Sequence, residues 1–309
     1  MKTVLVAGGA GFIGSHLCGK LLTHNYKVIC LDNFQTSTKS NIVNLFNSVK
    51  FEFIEHNINN PINIKTDYIF NLACPASPVQ YQRNPVNTIK TNVLGTLNLL
   101  ELAKKNNARI LQASTSEVYG DPLEHPQSEE YWGNVNPIGP RACYDEGKRA
   151  AETLFYDYHR EFGIDIRVAR IFNTYGPNMA LDDGRVISNF AVQSLKGKPI
   201  EIYGDGNQTR SFCYIEDLIN GLIKLMFNSN RILPLNLGNP KEIKIKYLAD
   251  KICRLTNSNS SIIYKSKLQD DPVKRRPNIE IAKEELDWNP EIDLHYGLVK
   301  TIEYFCKII

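Results

Sequence analysis

The segment Gly8-Gly9-Ala10-Gly11-Phe12-Ile13-Gly14 constrains this chain more than any other, because it joins a β-branched run, Thr3-Val4-Leu5-Val6-Ala7, to an amphipathic stretch reaching Thr23. Where a strand gives way to a helix through glycines, the helix's unbonded N–H groups face outward and the backbone can approach a pyrophosphate closely. The spacing of Gly8, Gly11 and Gly14 also occurs in ligand-free turns. Asp32 shifts the balance: it follows Gly14 by eighteen residues, at the end of a second predicted strand. A carboxylate there accepts hydrogen bonds from ribose hydroxyls and repels a 2′-phosphate, which favours NAD over NADP. Lys39 nearby pulls the other way.

The rest of the first half keeps the same rhythm. Segments 3–7, 27–31, 49–54, 68–72 and 109–113 read as strands, and 11–23 and 86–105 as helices, with Val93, Leu97, Leu100 and Ala103 on one face of the second. A loop rich in Pro, Gly and Asn over 120–140 precedes a helix over 141–162 and a buried strand over 165–172. Beyond it the alternation loosens into helices near 185–196, 216–228 and 245–255. This is an α/β chain, a Rossmann-like doubly wound parallel sheet with a smaller C-terminal substrate-binding domain. We expect residues 1–177, together with segments near 211–238, to form the nucleotide domain, and 178–309 the smaller, discontinuous one.

Composition excludes several classes. With 36 basic and 33 acidic residues the net charge is +3, too little for a nucleic-acid binder that works by electrostatics. Seven cysteines stand singly, with no Cys-x-x-Cys pair, so neither a disulfide framework nor a structural zinc site is expected, and no metal is called for. No stretch has the length of a membrane span, and the opening apolar run is too short for a secretory signal. The expectation is a soluble cytoplasmic protein.

Tyr144 and Lys148 are four residues apart on a predicted helix, close enough for the ammonium to favour a phenolate. A phenol titrating ordinarily near about 10 then moves toward the range of a general base. Ser114-Thr115-Ser116-Glu117 follows the fifth strand, at the carboxyl edge where such sheets carry their reactive groups.

These motifs resemble the extended short-chain dehydrogenase/reductases of the NAD-dependent epimerase/dehydratase type that modify nucleotide sugars. Longer strings, Cys74-Pro75-Ala76-Ser77-Pro78, Ser114 through Pro122, Asn136 through Arg149, Ala169 through Pro177, Asp183-Gly184-Arg185-Val186 and Gln208 through Phe212, are similar to the UDP-glucuronate decarboxylases among them. The resemblance covers nearly the whole chain. It implies that NAD removes hydride from C4 of UDP-glucuronate, that the resulting β-keto acid loses carbon dioxide, and that the hydride returns to give UDP-xylose. Tyr144 would take the C4 hydroxyl proton, Lys148 would lower its pKa and hold the nicotinamide ribose, and Thr115 would bond the sugar oxygen. Ser116 and Glu117 would lie beside the carboxylate, with Glu117 either repelling it or itself protonated.

The same resemblance places Phe12, Ile13, Asn33, Asn57, Ile58, Leu72 and Thr91 with the glycines and Asp32 around NAD. It places Lys90, Asn173, Arg185, Tyr203, Arg210 and Arg275 around UDP-glucuronate, with Arg275 taking the glucuronate carboxylate or the diphosphate. A polyanionic substrate needs such cations. Asn57 replaces the aspartate usual in the family, leaving its carbonyl to accept from adenine; Asn178 and Asn278 also depart from the pattern. A homodimer through helices near 86–105 and 141–162 is implied too. Sugar 4-epimerases, 4,6-dehydratases, ketopentose-releasing or apiose-forming relatives and a noncatalytic NAD-binding regulator are the rival readings.

Overall fold

Apolar residues alternate between the two faces of the first strand, Val4 and Val6 against Leu5 and Ala7, and all four are fully buried, so the sheet has to be covered on both sides. In the computed structural model, which describes residues 1–266 and 274–309, β1 (Thr3–Ala7), β2 (Lys27–Asp32), β3 (Phe51–Glu55), β4 (Tyr68–Asn71), β5 (Arg109–Thr115) and β6 (Ile166–Ile171) form a parallel sheet with a short seventh strand, Leu235–Leu237. The order is Leu235–Leu237, β6, β5, β4, β1, β2, β3. Winding reverses between β1 and β4, and the crevice beyond the carboxyl ends at such a reversal is where this architecture binds ligands.

The helices are α1 (Phe12–Thr23), α2 (Pro78–Arg83), α3 (Pro85–Lys90), α4 (Thr96–Asn106), α5 (Ala142–Phe162), α6 (Val186–Leu195) and α7 (Ile215–Asn228), with further helices at Ile245–Leu255, Glu280–Leu286 and Leu294–Ile308. Leu17, Leu21, Leu218 and Leu222 of α1 and α7 cover one face of the sheet, and Leu99, Leu100, Ala103 and Phe155 of α4 and α5 the other.

The expected helix over 86–105 is present, running from Pro85 to Asn106 with one irregularity inside it. Pro78 and Pro85 each begin a new helix, where a missing N–H costs nothing. A π turn, Thr91–Gly95, then separates α3 from α4. The turn fits Asn92 against Gly147 of α5, where a Cβ would come within 2.7 Å of the Asn92 amide nitrogen. It also fits Gly95 over Ile58, where a Cβ would come within 2.4 Å. Val93 and Leu97 are consequently only half-buried, while Leu99, Leu102 and Ala103 face the core.

Beyond β6 the smaller elements pair among themselves: Ile200–Tyr203 with Ile262–Lys265 in parallel, and Thr209–Ser211 with Glu242–Lys244 antiparallel. The chain returns to the main sheet through α7 and Leu235–Leu237. Among the described residues no helix is long and apolar enough to cross a membrane.

Candidate active site

The glycine loop is shaped by close approach. Gly8 has φ of +78°, and its N–H and that of Gly9 both donate to the Leu31 carbonyl, at 2.8 and 3.2 Å. A Cβ on Gly14 would lie 2.1 Å from the Gly8 carbonyl oxygen, so no larger residue fits without opening the turn. Gly11 caps α1 with no side chain bonded to the first-turn N–H groups. Uncapped donors at the positive end of a helix, under a backbone stripped of side chains, fit the pyrophosphate of a dinucleotide. Asp32 braces the loop: its carboxylate accepts from the N–H groups of Ala10 (3.0 Å) and Phe34 (2.9 Å) and from the Ser37 hydroxyl (2.8 Å).

A cleft of about 600 Å³ opens from this loop across the sheet's carboxyl edge toward the smaller elements. Gly8, Gly11, Phe12, Ile13, Gly14 and Leu72 line its first end. Thr115, Ser116, Glu117, Tyr144 and Lys148 line the middle, and Asn173, Arg185, Tyr203, Arg210 and Arg275 the far end. Residues that share no local sequence thus meet around one space.

At its centre, the Thr115 hydroxyl accepts the Glu117 N–H at 3.2 Å, starting a single 3₁₀ turn, Ser116–Tyr119, directly off β5. Tyr144 lies in the first turn of α5 with its ring stacked on Tyr81, centroids 5.0 Å apart and planes 4° from parallel. Lys148 donates to the Ala113 carbonyl at 2.9 Å, and its Nζ is 5.8 Å from the Tyr144 ring centre.

Burial pushes the Tyr144 phenol well above its ordinary range, the nearby Cys74 thiol adds to that, and a hydrogen bond with Thr115 draws it back. Lys148 is also buried, and desolvation lowers its ammonium. Desolvation is the largest influence on both groups.

Charge is concentrated around Glu117. Burial works to raise its pKa, but two arginines outweigh it: Arg275 donates to Oε1 and Oε2 at 2.6 and 2.7 Å, and Arg141 reaches Oε2 at 2.6 Å. The carboxyl is held down at about 2. Of the two readings of Glu117, the ionised one fits. Arg275, expected to be an anion receptor, spends its planar fork on Glu117. Arg185 is likewise paired, with Asp183 at 2.5 and 2.7 Å, while Arg210 is buried and donates to the Thr209 carbonyl at 2.9 Å.

Other expected site residues stay outside the walls of this cleft. Lys90 is exposed at the end of α3. Thr91 is buried and donates to the Asn87 carbonyl one turn back. The Asn33 and Asn57 side chains accept from the backbone N–H groups of Gln35 and Asn59, so each closes its own turn. Ile58 packs under Gly95. Asn178 lines the cleft and donates to Ser15, and Asn278 accepts the Glu280 N–H at a helix start.

Arg141, Tyr81 and Asp183 had no assigned role from sequence, yet Arg141 and Asp183 hold the site's charges and Tyr81 stacks on its phenol. Arg141 sits three residues before Tyr144, and that helical spacing was the available signal. Tyr81 carried none.

The pattern of the NAD dependent epimerase/dehydratase family matches residues 4–238. This chain belongs to that family. It is 56% identical over 302 residues, 98% of its length and 69% of the other's, to UDP-glucuronic acid decarboxylase 1 of Arabidopsis thaliana. It is 54% identical over 306 residues to the decarboxylase of that name from Xenopus tropicalis, covering 99% of this chain and 72% of that one. A crystal structure of UDP-glucuronic acid 4-epimerase from Bacillus cereus, with UDP-glucuronic acid and NAD, superposes with a TM-score of 0.89 at 28% identity, covering 99% of this chain and all of the other.

Proposed function

We infer that this chain converts UDP-glucuronate to UDP-xylose and carbon dioxide, using NAD that is recycled within each turnover. Identity above half along nearly its whole length to decarboxylases of this substrate carries the reading. The cleft's chemistry supports it, with a phenol, a hydroxyl and a clamped carboxylate around one position.

The glycine cradle of Gly8, Gly11 and Gly14 would hold the pyrophosphate of NAD, which when bound would supply reversible hydride chemistry at C4 of the sugar. Tyr144 takes the proton of the 4-hydroxyl and later gives it back, while Thr115 bonds the same oxygen and orients it. Oxidation at C4 puts the substrate carboxylate β to a ketone, the electrons of the C5–carboxylate bond flow into the carbonyl as carbon dioxide leaves, and the resulting enolate takes a proton at C5 before C4 is reduced again. Glu117 stays ionised between Arg275 and Arg141, so its fixed negative charge disfavours retention of the neighbouring carboxylate, while the two guanidiniums stabilise the developing enolate. Arg185 and Arg210 would hold the diphosphate, and Asn173 and Tyr203 the rest of the nucleotide, with residues 178–309 forming most of that wall.

Incubation with UDP-glucuronate and NAD, followed by NMR of the sugar nucleotide, tests this. UDP-xylose is the expected product. UDP-galacturonate would make the chain an epimerase, a free 4-ketopentose nucleotide would make it a releasing decarboxylase, and no turnover would leave a binding protein. A homodimer and a cytoplasmic location belong to the same proposal. Exposed Val86, Ile89 and Leu94 along the first of the two expected interface helices support the former, and the single spacing of the cysteines in the sequence suits a reducing compartment. Sedimentation and fractionation test them.

A further inference from the structure

A bidentate clamp tolerates little rotation of the chain that carries it, so the hold of Arg275 on Glu117 depends on the peptide that leaves the Arg275 Cα. Gln127, fully buried and standing off the cleft wall, grips that peptide. Its side-chain oxygen accepts the N–H of Arg276 at 2.8 Å, and this N–H lies in the plane of the Arg275–Arg276 peptide. At the other edge of the plane the Arg275 carbonyl accepts from the Ser211 hydroxyl at 3.5 Å, the longer and weaker of the two bonds. The side-chain nitrogen of Gln127 donates to the Glu124 carbonyl at 2.7 Å. A donor on one side and a carbonyl on the other dictate which way the amide points.

Gln127 is itself rooted in the main sheet. Asn236, fully buried in the edge strand Leu235–Leu237, donates through its side chain to the carbonyls of Gln127 and Asn278, each at 3.1 Å. The Gln127 backbone pairs with the same late segment: its N–H donates to the Arg276 carbonyl at 2.9 Å, and its carbonyl accepts the Asn278 N–H at 2.8 Å. Backbone pairing sets where residues 276–278 lie, and the side chain adds the short bond that orients the peptide of Arg275.

We propose that Gln127 is a positioning residue for the decarboxylation step: through the Arg276 N–H it holds Arg275 in the geometry that clamps Glu117 beside the substrate carboxylate. The step before it does not pass through Gln127. Tyr144 and Thr115, which handle the 4-hydroxyl, are carried by α5 and at the end of β5, and Tyr144 is braced by its stack on Tyr81. Loss of carbon dioxide, in contrast, needs Arg275 and Glu117 in register, and a displacement of roughly 1 Å at a reacting centre costs about 10²-fold in rate. Methionine would fill the place of Gln127 with neither donor nor acceptor. Asparagine carries both but is one methylene too short to span Arg276 and Glu124.

This inference rests on the UDP-glucuronate reading, and the test separates the two. NAD-loaded protein is mixed with UDP-glucuronate in a single turnover, with NADH absorbance following oxidation at C4 and trapped carbon dioxide following decarboxylation. In Gln127→Met, carbon dioxide release is expected to slow by about 10-fold to 10²-fold while NADH formation stays within about twofold of wild type, so NADH accumulates. A purely structural role would slow both steps alike. Equal slowing of the two steps, or carbon dioxide release at the wild-type rate, overturns the proposal. Gln127→Asn carries the same expectation and decides the matter if Gln127→Met does not fold. A wild type that forms neither NADH nor carbon dioxide would strike the reading of the substrate, and this inference with it.

Discussion

Arg275 donates to both oxygens of Glu117 across 158 residues of sequence, tying the smaller, late-sequence elements to the turn that leaves β5. A bidentate pair of this kind fixes the orientation of both groups as well as their separation. Arg275→Ala should therefore do two kinds of damage. It leaves a buried carboxylate with one clamp in place of two, costing about 3 kcal/mol in stability, and it removes a cation from the reacting centre. Chemical denaturation and kcat for carbon dioxide release should both drop, and Arg275→Lys, which cannot form the fork, should recover little of either.

Glu117 gives this pair a pH dependence with a definite sign. Its folded pKa, about 2, lies below the ordinary 4.5. The pair's stabilisation is then complete above the ordinary value and is lost as pH falls through it toward the folded one. Melting temperatures of wild type and Glu117→Gln should differ most near pH 7, with wild type higher, and draw together as pH falls from 4.5 toward about 2. A constant gap across that range would mean that Glu117 is not held ionised by the arginines.

Tyr144→Phe removes only a hydroxyl, and the ring can still stack on Tyr81. Binding of NAD and UDP-glucuronate should change little, whereas formation of NADH absorbance in a single turnover should slow by about 10²-fold to 10⁴-fold, the range for a lost acid–base group. Unchanged single-turnover rates would rule out the proton transfer assigned to it.

Gly14→Ala tests the cradle. The new Cβ would sit 2.1 Å from the Gly8 oxygen, and relieving that contact at a cost of about 1–3 kcal/mol means opening the loop. NAD affinity should fall about tenfold or more, measured by quenching of protein fluorescence, with the UDP end of the cleft less affected.

A fourth carboxylate–arginine pair lies behind the site. Glu152 accepts from Ser114 at 2.5 Å and from Arg170 at 3.0 and 2.8 Å, and Arg170 also bonds the Tyr119 hydroxyl. Arg170→Met should destabilise the protein by about 3–5 kcal/mol, because Glu152 would remain buried without its cation. Glu152→Gln, which keeps a carbonyl for Arg170 and an amide for Ser114, should cost less than that in urea denaturation.

The sheet, the glycine cradle and the tyrosine were legible in the sequence because each rests on local pattern: period-two apolar runs, glycines where backbone must come close, a four-residue step on one helix. The π turn at Thr91–Gly95 was not, since it answers to Gly147 and Ile58, distant partners that no window of sequence contains. The arginines were legible as cations but not the carboxylate that clamps one of them, because Arg275 meets Glu117 only in three dimensions. Tyr81 stayed invisible for the same reason, its partner lying 63 positions away by the residue numbers of the stacked pair.

Leu235–Leu237 completes the main sheet beside β6 after more than sixty intervening residues of helix and short strand, and the carbonyls of Met226 and Ser229 accept from Arg109 and Arg167 at its edge. During synthesis, the part of the molecule that grips the dinucleotide therefore cannot be finished first. Its edge strand leaves the ribosome only after the short strands and helices that follow β6, so the two halves must mature together, and a chain cut near residue 177 would expose β6 as a bare margin open to pairing with another copy.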